Sequence, residues 1–172
     1  MRAVKWIDQW KKVKGLDFSL DHKHFFLEGR HLDDIAKESI SNAKTEVLVV
    51  NPYVNHCDLS NTLREASKSG VDVKLITRPP DIRQKPFRRD KQEYHKFLKE
   101  DGVNLTYNKA AHAKIIAVDR AVAIVSSMNF YGGSSSGASW ETGLVSVEET
   151  VVESIVDSIL ELLEKPESIE MA

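Results

Sequence analysis

His112, Lys114, Asp119, Ser127 and Asn129 fall within one stretch, HAKIIAVDRAVAIVSSMN, at the spacing H-x-K-x4-D-x6-S-S-x-N. An imidazole can serve as a nucleophile, or as a general acid and base near neutral pH. A lysine ammonium brings a point charge and donors to a phosphate oxygen. A serine hydroxyl and an asparagine amide add neutral donors aimed at the same oxygens, where charge spreads in a phosphoryl-transfer transition state. The set occurs once in the chain. One set is half an active site, which points to a partner supplying the other half.

Two apolar runs must position these residues. IIAV and AVAIV have the length and β-branching of buried strands, and they predict strands over residues 112–118 and 121–127 with Asp119-Arg120 as the turn between them. Side chains alternate along a strand, so His112 and Lys114 share one face, as do Ser127 and Asn129. A turn closing tightly at Asp119-Arg120 pairs residue 118 with 121 and sets Ser127 directly opposite His112. Four polar side chains then converge at the open end of the hairpin. Asp119 lies at the far end and reads as a turn-stabilising residue. A slip of one residue would undo the convergence, so the expectation depends on the turn.

Around the hairpin, strands alternate with helices. Helices are predicted near 32–43, 59–69, 91–100 and 151–164, and strands over 46–51, 71–77, 103–107 and 140–147. Gly70 is placed to cap the second helix, Pro79-Pro80 breaks the chain, and Pro166 stops the last helix. Val152, Ile155, Val156, Ile159, Leu160 and Leu163 make one stripe along that helix. The order predicts an α/β fold, a mixed β-sheet flanked by helices on both faces.

The stretch from His112 to Asn129 resembles the signature of the phospholipase D superfamily, usually H-x-K-x4-D-x6-G-S-x-N, with Ser126 here in the common glycine position. IAKESISNAKTEVLVVNPYV resembles the helix and strand that open that family's domain, GVDVKLITR its second strand, and DGVNLTYNKAAHAK the lead into the motif. Glu141, in ASWETG, stands where an acidic residue usually follows the signature. The resemblance covers roughly residues 25–163. In size the chain is similar to members with one motif per chain, such as the bacterial Nuc-type endonucleases. It implies a homodimer in which His112 of one subunit attacks phosphorus to form a phosphohistidine. His112 of the second subunit protonates the leaving oxygen and then activates water. Lys114, Ser127 and Asn129 of both subunits bind the phosphate, and Glu141 orients His112 through its other ring nitrogen. The resemblance implies no metal and no cofactor.

Length and composition fit one domain, read as 25–165 with an N-terminal extension over 1–24 and a tail over 166–172. The 41% hydrophobic and 29% charged residues match a soluble globular protein. Cys57 is the only cysteine, so no disulfide forms within the chain. No apolar stretch reaches membrane-spanning length and the N-terminus lacks an apolar signal core, which makes a reducing cytoplasm the expected compartment. Trp6, Trp10 and Val13 share one face of a short basic helix, read as a packing surface. His22, His24 and His31 lack the companions of a metal site.

Charge is uneven. Residues 78–99 hold eight Lys or Arg against three Asp or Glu, a balance of +5, whereas 146–172 carry −7. The run PPDIRQKPFRRDK, with Arg83, Lys85, Arg88, Arg89 and Lys91, reads as a loop able to grip a polyanion, and Phe87 within it could stack on a base. The expected activity is a metal-independent phosphodiesterase, a nuclease on DNA or RNA. The alternatives are a phospholipid hydrolase or phosphatidyl transferase, which would want an acyl groove or interfacial anchor, and a binding module without catalysis, which would not need a nucleophile.

Overall fold

The run EVLVV is too short for a helix and too apolar for a strand wetted on one side, and DVKLIT alternates before closing on buried residues. Both lie at the centre of a sheet covered on its two faces. The computed structural model describes residues 23–81, 85–134 and 139–171, with side chains described for all of these but 85–88. The elements are β1 (His24–Glu28), α1 (Gly29–Ser41), β2 (Glu46–Val50), α2 (Asp58–Lys68), β3 (Asp72–Thr77), α3 (Lys85–Glu100), β4 (Asn104–Tyr107), β5 (Ile115–Val118), β6 (Val122–Ser126), β7 (Thr142–Ser146), α4 (Glu149–Glu164) and β8 (Ile169–Glu170).

The eight strands form one sheet in the order β1-β7-β6-β5-β2-β3-β4-β8. Strand β3 runs parallel to both β2 and β4, and every other pairing is antiparallel. Alternation divides β2 between two cores. Val47 and Val49 join Leu32, Ile40, Leu63 and Leu98 under α1, α2 and α3. Leu48 and Val50 join Val152, Val156 and Ile159 of α4 on the other face. The α/β fold with a mixed sheet and helices on both faces is therefore as the sequence predicts.

Three local features differ from the expectation. The strand HFFLE was not anticipated: Phe25 and Leu27 point into the core while Phe26 points out, which gives β1 its pairing with β7. Part of the segment read as a tail also pairs, as β8 lies against β4 and the Met171 N–H donates to the Leu105 carbonyl at 2.9 Å. Helix α3 begins at Lys85, six residues ahead of the predicted start. Pro86 sits in its first turn, where a missing N–H costs no helical hydrogen bond. Lys85 to Arg89 are thus helical, not a loop.

The hairpin register is shifted by one residue. Asp119 and Arg120 take φ of 51° and 50°, the left-handed pair of a tight hairpin turn. The Ala121 N–H donates to the Val118 carbonyl at 2.9 Å. Val118 nevertheless pairs with Val122, not with Ala121. Ala121 is an extra residue that bulges the strand, so Ser127 does not stand opposite His112.

Asp119 does more than stabilise its own turn. Its carboxylate accepts from the N–H groups of Lys44, Thr45 and Glu46 at 2.8, 2.8 and 3.0 Å and from the Thr45 hydroxyl at 2.9 Å. It ties the hairpin tip to the entry of β2. Burial would raise its pKa, but the N–H donors of Thr45, Glu46 and Lys44 prevail and hold it below its ordinary 3.8. A depressed carboxyl contributes stability that is present above its unfolded pKa and lost as pH falls through its folded value. Asp119→Asn is expected to cost about 1–3 kcal/mol in urea melts at neutral pH, with a smaller penalty once the pH has fallen well below the ordinary 3.8. Equal penalties at both pH values would contradict this.

Candidate active site

The carboxyl ends of β2, β3 and β4 and the open end of the β5–β6 hairpin lie along one rim of the sheet. Each of these strands stops where its apolar run gives way to polar residues, so the chain delivers polar side chains to that rim. Lys114 is fixed there by its carbonyl, which accepts the Ser126 N–H at 3.0 Å. Its ammonium donates to the His112 carbonyl at 3.2 Å. The His112 ring is exposed and has no hydrogen-bond partner among the described residues.

Ser127 belongs to the same rim. Its N–H donates to the Thr142 carbonyl at 2.9 Å and its hydroxyl accepts the Thr142 N–H at 3.1 Å. The hydroxyl also donates to Glu141, whose other carboxylate oxygen accepts from Ser134. Ser134 Oγ accepts the Asn129 N–H at 3.0 Å. Glu141 therefore bridges Ser127 to the Asn129 segment, and its carboxylate does not bond the His112 ring as anticipated. Asn129 Oδ1 is buried with no hydrogen-bond partner, an acceptor whose desolvation is uncompensated.

Ser126 replaces the common glycine because space is made opposite it. Gly143 pairs with Ser126, and a Cβ on Gly143 would come within 2.9 Å of the Ser126 Cβ and 2.8 Å of Leu32. The small residue has moved to the neighbouring strand.

Asn51 supports the site and was not singled out from the sequence. Fully buried just past β2, it donates to the Met128 carbonyl at 3.0 Å and accepts from the N–H groups of Tyr53 and Phe130 at 3.2 and 3.3 Å. It clamps residues 128–130 from below. The signal for it was a lone amide ending a continuous apolar strand.

A cleft of about 1410 Å³ opens beside Asn129. Arg78, Lys91, Lys96, Lys109 and the rings of Tyr53 and Tyr131 line it. Behind it, buried His95 bridges the Tyr107 hydroxyl and the Val54 carbonyl, both at 3.0 Å. Burial, helped by the charge of Lys91, drives the His95 pKa down to about 4, so the ring is neutral and structural near pH 7. Of the basic run, Arg89 is exposed and pairs with Glu93 at 3.1 Å outside the cleft. Arg83 and the side chains of Lys85, Phe87 and Arg88 lie outside the described residues, as do Trp6, Trp10, Val13 and His22. Among the described residues no group of three His, Cys, Asp or Glu is gathered as metal ligands, and no helix is long and apolar enough to cross a membrane.

The chain is similar in sequence to the minor cardiolipin synthase ClsB of Bacillus subtilis, 27% identical over 130 residues. That match covers 72% of this chain but only 31% of the relative. Among solved structures it superposes on Nuc of Salmonella typhimurium, a phospholipase D family member, with a TM-score of 0.71 at 18% identity, covering 86% of this chain and 98% of Nuc. NucT of Helicobacter pylori gives 0.69 at 16% identity, covering 87% and 99%. The family model described as cardiolipin synthase, PLD-like domain, matches residues 36–163. Rim, signature and match agree, and the chain belongs to this PLD-like family within the phospholipase D superfamily.

Proposed function

We propose that the protein is a metal-independent phosphodiesterase of nucleic acid, a nuclease that works as a homodimer through a phosphohistidine. The observation that carries this reading is the cationic, tyrosine-lined cleft at Asn129, which joins the signature rim to a surface suited to a polyanion. A ring nitrogen of His112 attacks phosphorus and expels the leaving oxygen, which takes a proton from His112 of the second protomer. That second ring then draws a proton from water. The water oxygen attacks phosphorus, breaks the P–N bond and restores the first ring. Lys114 and the Asn129 amide hold the non-bridging oxygens, and Ser127 joins them by turning its one hydroxyl proton from Glu141 to the phosphate. Glu141 acts as a positioning residue through Ser127 and Ser134. Arg83, Lys85, Phe87, Arg88 and Arg89 are assigned the grip on flanking nucleic acid.

The dimer reading is supported by an exposed apolar row across the sheet. Phe26, Leu144 and Val125 are 63%, 48% and 43% exposed and stand in register on β1, β7 and β6. The row continues Ile115, which packs under α4, and Trp140, 76% exposed, precedes Glu141. A second copy would cover this row and bring two rims together. Leu144→Asp is expected to leave the monomer folded, shift sedimentation at micromolar concentration from dimer to monomer and lower turnover by about tenfold or more, since an unpaired interfacial charge costs several kcal/mol. A variant that stays dimeric and active would refute this interface.

A second reading, phospholipid transfer or hydrolysis, is favoured by the similarity to ClsB and by the cardiolipin synthase description of the family model. Labelled single-stranded DNA, RNA and anionic phospholipid vesicles, each incubated with the protein in EDTA, separate the two. Cleaved polynucleotide with intact lipid supports the nuclease; the reverse pattern replaces it.

A further inference from the structure

Arg78 and Lys91 make an expensive pair. Arg78 follows the carboxyl end of β3 and Lys91 lies on α3, and both line the cleft that reaches Asn129. The Arg78 Nε is buried without a hydrogen-bond partner. Among the described residues the Lys91 ammonium donates only to the Arg78 carbonyl, at 3.3 Å, and it stands 5.7 Å from the centre of the Tyr53 ring. Among the described residues neither cation is paired with a carboxylate. Burial, and then the Arg78 charge, pull the Lys91 pKa down to about 8. Two half-buried cations on one cleft wall, one with an orphaned guanidinium N–H, would be stabilised by an anion within reach of both.

We infer that Arg78 and Lys91 form a second phosphate subsite, which receives the phosphodiester neighbouring the scissile one in a single-stranded polynucleotide. The inference rests on the nuclease reading and names what that reading leaves open: how the strand is held beside the reacting phosphate. A guanidinium fork and an ammonium suit the two non-bridging oxygens of a phosphodiester. Lys96 and Lys109 extend the positive lining, which outweighs the one acidic residue in it, Asp81. Tyr53 and Tyr131 are half exposed on the same walls and offer faces for unpaired bases. A duplex would hide those base faces. An acyl chain would want a continuous aliphatic lining, whereas beyond two prolines this cleft offers only Val54 and Met171.

The test neutralises one phosphate at a time. A short single-stranded oligonucleotide is made with a methylphosphonate at each position in turn, and kcat/KM is measured in EDTA for wild type, Arg78→Gln and Lys91→Gln. In wild type, one neighbouring neutral linkage should lower kcat/KM by about tenfold or more, the worth of a charge-assisted contact. Arg78→Gln should lower kcat/KM on the all-phosphate strand by a similar factor, and the same neutral linkage should then cost little more. Lys91→Gln provides an independent cycle should Arg78→Gln fail to fold, and the wild-type scan stands alone should both fail. Wild type that cleaves the strand with equal penalties at every non-scissile position overturns the subsite and leaves the nuclease reading intact. An undiminished penalty in folded variants does the same. Wild type that cleaves no oligonucleotide yet turns over phospholipid vesicles overturns both.

Discussion

His112→Ala is expected to lower turnover of any phosphodiester by at least about 10³-fold while thermal melting stays that of wild type. The two halves of this expectation have separate grounds. The ring is exposed and bonds to nothing among the described residues, so its removal deletes no structural contact, and exposed substitutions of that kind stay within about 0.5 kcal/mol. The same ring is the signature's imidazole, the side-chain type that can form and release a phosphoryl bond near neutral pH. His112→Asn should bind substrate and not cleave it. Lys114→Ala should be nearly as severe, because its ammonium donates only to a carbonyl here and its backbone, which pairs with Ser126, is untouched. Activity of the wild type should survive EDTA. A His112→Ala protein retaining a tenth of wild-type kcat, or a strict need for added magnesium or zinc, would sink the mechanism.

The sequence made some of this site legible for identifiable reasons. Central strands such as β2 and β5 announce themselves as unbroken apolar runs because both faces are buried. The signature residues bracket β5 and β6 at fixed spacing, so their place at the strand ends could be read directly. Edge strands hide that signal. β1 alternates apolar and exposed residues over five positions, and two of its three outward residues are polar or charged. The hairpin register was missed because Asp119 and Arg120 do form the tight turn, but the bulge at Ala121 adds a residue that no residue type flags. The slip removes the cross-strand placement of Ser127 against His112 on which that expectation depended. Ser127 is held by β7 through Thr142 and Glu141 and not by a cross-strand position against His112. The cleft was illegible for a further reason. Arg78, Lys91 and Lys109 come from the segment just past β3, from α3 and from the approach to β5, and the parallel order β2-β3-β4 assembles them. Composition located the basic segment over 78–99, which holds Arg78, Lys91 and Lys96 of the cleft, but it could not show which of its cations share a wall with Lys109.

Mixing wild type with His112→Asn should depress activity more steeply than dilution allows. If both copies of His112 face one cleft, a heterodimer holds a single ring and lacks either the nucleophile or the acid. After subunit exchange at equal amounts, wild-type homodimers are about one quarter of the population, and activity should fall to about one quarter. Independent sites in each protomer would give about one half. A substrate with a good leaving group refines the result. p-Nitrophenolate departs without a proton donor, so the heterodimer can complete the first displacement on a p-nitrophenyl phosphodiester. Its single ring becomes the phosphohistidine, and the water that should attack has no base. The heterodimer is expected to release one burst of p-nitrophenolate and then stall, with label from the phosphoryl group retained on the protein and lost in acid. A linear decline in activity with the wild-type fraction, together with steady turnover by the heterodimer, would mean that each chain carries a complete site, and the shared-site dimer would have to be given up.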